Sequence, residues 1–215
     1  MNKIISFVYV LVLGTIAAFL SIESTREQFV LMTRNYPFLM GFLKIGILGT
    51  MGELLSGRVV TGTWKISGVS IHQRFLIWGF FGLAFTVVFP MFSMGVEGLL
   101  RASLLPGKNS TFLTAFWKSF FMNIIFAPPM MTFHRLTDTL IDRKMLFKKW
   151  PAVEIFQNMN WANMIRVVGF SCIWFWIPAH TATFLLPPEF RVLSAALLSL
   201  ALGLILGYAK RKSLQ

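Results

Sequence analysis

The chain has 215 residues, 56% of them apolar and only 13% charged, yet its net charge is +12. Soluble domains average roughly 45–50% apolar and 25% charged residues, so this composition argues against an ordinary soluble fold. The Lys and Arg residues flank apolar runs and are not interleaved with aromatics along a polar groove. That placement excludes nucleic acid as the expected partner and reads as a topology signal with attraction to anionic headgroups.

In chain order, apolar stretches occupy residues 4–22, 36–55, 75–96, 111–133, 167–187 and 192–209. A helix rising about 1.5 Å per residue needs about 20 apolar residues to cross a bilayer. Each run is long enough and apolar nearly all round, so the expected fold is all-α: a transmembrane bundle of five to six helices kinked at prolines. Lys3 precedes the first run, which is too long for a signal-peptide core and lacks a small-residue cleavage site. Residues 1–23 therefore read as a retained signal anchor or extra membrane helix. Residues 24–212 read as the main membrane domain. Within it, 138–163 mixes charges with Trp150, Phe156 and Trp161, the composition of an interfacial segment. The fifth run holds Pro178 and His180 and ends in Pro187-Pro188, as a broken or tilted helix would. No internal repeat is evident.

With six spans, one side receives Lys3, Arg58, Lys65, Arg74, Arg135, Arg143, Lys144, Lys148, Lys149, Arg166 and Lys210-Arg211-Lys212, thirteen cations in all. The other side receives Arg26, Arg34, Arg101, Lys108 and Arg191, five in all. Both termini are thus expected on the cytoplasmic or equivalent side, in a plasma or inner membrane.

Ionisable groups inside the runs are the candidate functional residues. Lys44 and Lys118 lie mid-run, and Glu53 and Glu97 lie near run ends. A lysine at the centre of a lone helix costs about 2.5–3.5 kcal/mol on insertion scales, so such groups line a cavity or pair inside a bundle. Small residues supply helix packing: Gly46, Gly49 and Gly52 recur every three residues, and Ala195, Ser199, Gly203 and Gly207 every four. The three His residues (His72, His134, His180) are scattered and Cys172 is the single Cys, which gives no metal-ligand pattern. No nucleophile–base pair, phosphate loop or carboxylate pair is seen, so neither an enzyme nor a cofactor is expected.

Four strings are similar to the Mpv-17/PMP-22 family of small multi-span membrane proteins. Tyr36-Pro37 with Gly46, Gly49 and Gly52-Glu53 resembles its opening motif, with Glu53 where the family has Asp. Arg74, Gly82 and Pro90 resemble the next, with Phe89 replacing a glycine. Lys118 to Pro128 resembles a third, in which Met122-Asn123 stand for Asp-Gln. Pro187-Pro188-Glu189-Phe190-Arg191 resembles the end signature. The resemblance runs from Pro37 to Lys212 and implies a pore-like permeability role for small solutes. Lys44, Glu53, Glu97 and Lys118 are the residues expected to line or gate the path. The alternative expectation is a non-transporting assembly factor that docks through the small-residue face of the last helix. The expected partners are the lipid bilayer, small solutes and a second copy of the chain.

Overall fold

A computed structural model describes residues 2–64 and 70–212. Lys65 lies outside the described residues, as do the surroundings of Gly207, Lys210 and Lys212. The described chain is helical: α1 (Asn2–Ser21), α2 (Glu23–Asn35), α3 (Pro37–Thr61), α4 (Ile71–Arg101), α5 (Thr111–Phe121), α6 (Ala127–Asp142), α7 (Ala152–Gln157), α8 (Trp161–Ser171), α9 (Ile177–Leu185) and α10 (Pro188–Lys212). Five-residue π-helical turns, Met122–Phe126 and Cys172–Trp176, join α5 to α6 and α8 to α9 without interruption.

Local chemistry sets most boundaries. Pro37 opens α3, and Tyr36 before it sits at φ −131°, ψ 58°, because the proline ring bars helical geometry from the preceding residue. Gly62, left-handed at φ 74°, closes α3 and donates its N–H to the Arg58 carbonyl. Ser110 and Asn160 cap α5 and α8, their side chains accepting the N–H groups of Leu113 and Asn163. α2 is a polar helix with Phe29 as its one buried residue, and it fills the gap that hydropathy leaves between the first two apolar runs.

Among the described residues, five helical segments are long and apolar enough to cross a membrane: Asn2–Ser21, Pro37–Thr61, Ile71–Arg101, Trp161–Leu185 and Pro188–Ile205. The expected sixth run, 111–133, is not one of them. It lies in a continuous helical segment from Thr111 to Asp142, but Lys118, Ser119 and Asn123 dilute its hydropathy and are buried by neighbouring helices. The fifth run is not broken at Pro178, since the π-turn carries the helix through to Leu185.

The chain folds as two compact units, 1–83 with 192–215, and 84–191. In the first, α3 is the buried centre, with Ile45, Leu48 and Met51 inside. α1 buries no residue, but is tied to its unit by Tyr9, whose hydroxyl donates to the Met51 carbonyl at 3.3 Å, and by Ser6, whose hydroxyl accepts the Trp64 indole N–H at 2.7 Å. In the second unit the α5–α6 segment lies alongside α8–α9. α5 packs on α9, α6 on α8, and the two π-turns touch, so the segments run antiparallel and meet at their midpoints.

Candidate functional site

In the first unit the expected site residues have separate surroundings. Lys44 is buried; its Nζ donates to Thr33 Oγ1 at 2.9 Å and stands 4.4 Å from the centre of the Phe29 ring. Glu53 receives Arg74 at 2.7 Å on one oxygen and the Trp78 indole N–H at 2.8 Å on the other. Bringing an Arg and an indole N–H to one carboxylate satisfies much of its acceptor capacity within the bundle.

The spaced glycines of that unit mark close helix approaches. A Cβ on Gly46 would come within 2.9 Å of the Phe75 ring, and one on Gly49 within 2.5 Å of the Trp78 indole. Gly82 faces the backbone of Gly41 and Phe42. On α10, Gly203 faces the Gly52 carbonyl, and Ser199 donates to the Leu48 carbonyl at 3.5 Å. The small-residue face of α10 at Ser199 and Gly203 is therefore occupied by α3 within the chain.

In the second unit, Glu97 of α4 and Lys118 of α5 form an ion pair at 2.5 Å. The Lys118 side chain is 7% exposed and that of Glu97 46%. Ser93, one turn before Glu97, donates to the same carboxylate at 3.4 Å. The Arg191 guanidinium joins from the start of α10, donating to Ser93 Oγ at 3.5 Å, to the Leu186 carbonyl at 3.1 Å and to the Phe184 carbonyl at 3.3 Å. The last two carbonyls close α9, where the negative end of the helix dipole favours a cation. Arg191 thus stitches the end of α9 to α4. His134 pairs with Asp138 one turn on along α6, at 3.0 Å.

The second polar cluster of this unit was not anticipated in full. Ser119 and Asn123 lie one helical turn apart on α5 and the first π-turn, and both are almost completely buried. Asn123 is the hub. Its amide nitrogen donates to the Ser119 carbonyl at 2.8 Å and to Ser119 Oγ at 3.2 Å, and its side-chain oxygen lies 3.2 Å from His180 Nδ1 on α9. Ser119 in turn donates to the Ile177 carbonyl at 2.7 Å. The Asn123 backbone carbonyl takes the Cys172 thiol at 3.8 Å. Pro128, five residues on, has no N–H to offer that carbonyl. His180 is stacked on Trp176, ring centres 5.1 Å apart, with Phe89 edge-on at 6.0 Å. The sequence signal was present: Ser119 and Asn123 share a helix face with 115 and 122 inside an apolar run. Their connection to His180 could not be read, because it joins residues 57 apart.

Replacing Asn123 with Leu is expected to lower stability by about 1–3 kcal/mol for each buried polar group left without its partner, chiefly the His180 Nδ1–H. Unfolding of the purified variant in detergent checks this, and an unchanged midpoint would show that the hub contributes nothing.

Comparison with protein-family models, with curated proteins and with solved structures finds no match. The clusters can hold protons, hydrogen bonds and compensated charge between helices. Asn123, Ser119, His180 and the Lys118–Glu97 pair all lie in the second unit, while Lys44 and Glu53 are held in the first.

Proposed function

We propose that the chain is a multi-span membrane protein whose second unit forms a permeability path for small solutes. One observation carries this reading: the buried polar side chains of an otherwise apolar helix pair gather between its two antiparallel arms. In a bilayer ionisable groups such as Lys118, Glu97 and His180 are costly and commonly mark solute or proton pathways. The same arrangement supports a sixth crossing. Residues 111–142 lie antiparallel against the candidate span Trp161–Leu185, so they share its depth. Six crossings put both termini on one side, and counted on six crossings that side carries thirteen of the flanking Lys and Arg residues against five. Of the strings that resemble the Mpv-17/PMP-22 pattern, Gly46, Gly49, Gly52 and Gly82 fall at close helix approaches and the Lys118–Pro128 string spans the first π-turn.

The reading needs no catalytic chemistry and no cofactor. The alternative, an assembly factor docking through the last helix, would need a free small-residue face, and Ser199 and Gly203 are already engaged with α3.

Purified protein reconstituted into liposomes should raise the permeation of glycerol at least tenfold over protein-free liposomes. Lys118→Ala, which opens the end of the helix pair beside Glu97, should change the rate severalfold. Glycerol permeation equal to that of empty liposomes, from protein shown to be folded, would overturn the reading.

A further inference from the structure

The two segments that meet in the second unit have the same internal construction. Each begins with a capped helix of 11 residues, continues through a five-residue π-turn, and resumes as α-helix with proline at the second position. The caps are Ser110 and Asn160 and the prolines Pro128 and Pro178, so every landmark recurs 50 positions later. The shared π-turn has a shared cause. A proline ring collides with the carbonyl four residues back, and widening that turn relieves the clash, while the missing N–H leaves a carbonyl of the turn free for another donor. The partners run antiparallel and touch π-turn to π-turn, so the two like-built segments are inverted relative to each other, with α5 on α9 the more extensive of the two packings. Side-chain identity does not repeat, which is why the sequence alone shows no duplication. In membrane transporters built from inverted repeats, solute sites lie at the repeat interface, where helices are interrupted.

At that interface one buried atom has no partner. The Asn123 amide is oriented by the Ser119 carbonyl, which can only accept, so the NH₂ end faces Ser119 and the oxygen faces His180. Asn123 Oδ1 is also only an acceptor, so His180 Nδ1 must carry the proton. A neutral imidazole with Nδ1–H committed in this way bears its lone pair on Nε2. His180 is 5% exposed, and its Nε2 makes no hydrogen bond. Leaving a buried acceptor unmet is costly, and native proteins rarely do so without a water or ligand to satisfy it.

We propose that His180 Nε2, held bare by Asn123 at the crossing of the paired π-turns, is the binding point for a small uncharged solute that donates a hydrogen bond through O–H or N–H. The class follows from the surroundings. The hydrogen bond and ring contacts of His180 are to Asn123, Trp176 and Phe89, all uncharged, which suits a neutral solute better than an ion. The cation nearest in sequence to this cluster, Lys118, is already neutralised by Glu97. An aromatic face and edge around a single acceptor suit a compact polyol or amide. This inference rests on the permeability reading for its biological meaning, but the binding event can be read without any flux.

The test uses the full chain, labelled with ¹⁵N-histidine in lipid nanodiscs and titrated with glycerol. Among the three His residues, His180 is identified by the loss of its signals in His180→Phe. The expected wild-type spectrum has a protonated Nδ1 and a bare, pyridine-type Nε2 whose resonance moves saturably as glycerol is added. In liposomes, His180→Phe should lower glycerol permeation at least tenfold, and His180→Gln, which restores an acceptor, should recover part of it. A protonated Nε2, or a bare one indifferent to glycerol, as when a fixed water alone occupies it, would overturn the site whatever the flux. A saturable response in a protein that passes no glycerol would uphold the site and overturn the permeability reading instead.

Discussion

Glu97→Leu should destabilise the protein more than Lys118→Leu, although the two substitutions break the same ion pair. The asymmetry comes from burial. Removing the carboxylate strands the Lys118 ammonium among helices, where its side chain is 7% exposed. Breaking a buried pair from one side in this way costs about 3–5 kcal/mol. Removing the lysine strands a carboxylate that is 46% exposed and one turn from the end of α4 at Arg101. Such a group recovers hydration, and the expected loss is about 1 kcal/mol, the upper range for an exposed pair. The double variant Glu97→Leu/Lys118→Leu should regain most of the stability lost by Glu97→Leu, since no unpaired charge remains and the site becomes apolar. Unfolding midpoints of the three variants in one detergent decide the matter. Equal losses for the two single variants would show that the pair is equally solvated on both sides.

A second large effect is expected from a single methyl group. Gly82→Ala would place a Cβ against the backbone carbonyl of Gly41 and the Cα of Phe42, which cannot rotate away as a side-chain tip could. α3 and α4 must separate locally, at a cost of about 1–3 kcal/mol, the range for overpacking a close contact. Gly57→Ala, on α3, is the control. Nothing lies within 4 Å of its added Cβ, and replacing a helical glycine by alanine should stabilise by roughly 0.5–1 kcal/mol. Opposite signs for two Gly→Ala changes in neighbouring helices would locate the helix contact directly. Two similar small effects would show that the approach at Gly82 is looser than its geometry.

These expectations differ in how far each could be read from the amino-acid order. Helical class, the extents of the apolar helices and their proline starts follow from local rules, because hydropathy and backbone sterics act within a few residues. Pro37 and Gly62 bound α3 for reasons confined to their own rings and dihedrals. The fourth run is where hydropathy misleads. Lys118, Ser119 and Asn123 weaken it as a span, while the fold buries all three. Lys44, Glu53, Glu97 and Lys118 could be singled out as ionisable residues in apolar surroundings. Their partners Thr33, Arg74, Trp78 and Ser93 could not be assigned, since no local rule selects which of many polar residues faces them.

By itself the sequence determined that this chain is a set of long apolar helices punctuated by proline, because the length of an apolar run and the missing proline N–H are properties of neighbouring residues. Only the tertiary structure decided that the π-turns before two of those prolines meet in an antiparallel pair, and that Asn123 holds one ring nitrogen of His180 while the other is left without a hydrogen bond. That decision depends on helix pairing across 57 positions, where the driving force is satisfaction of buried hydrogen bonds and not any pattern along the chain.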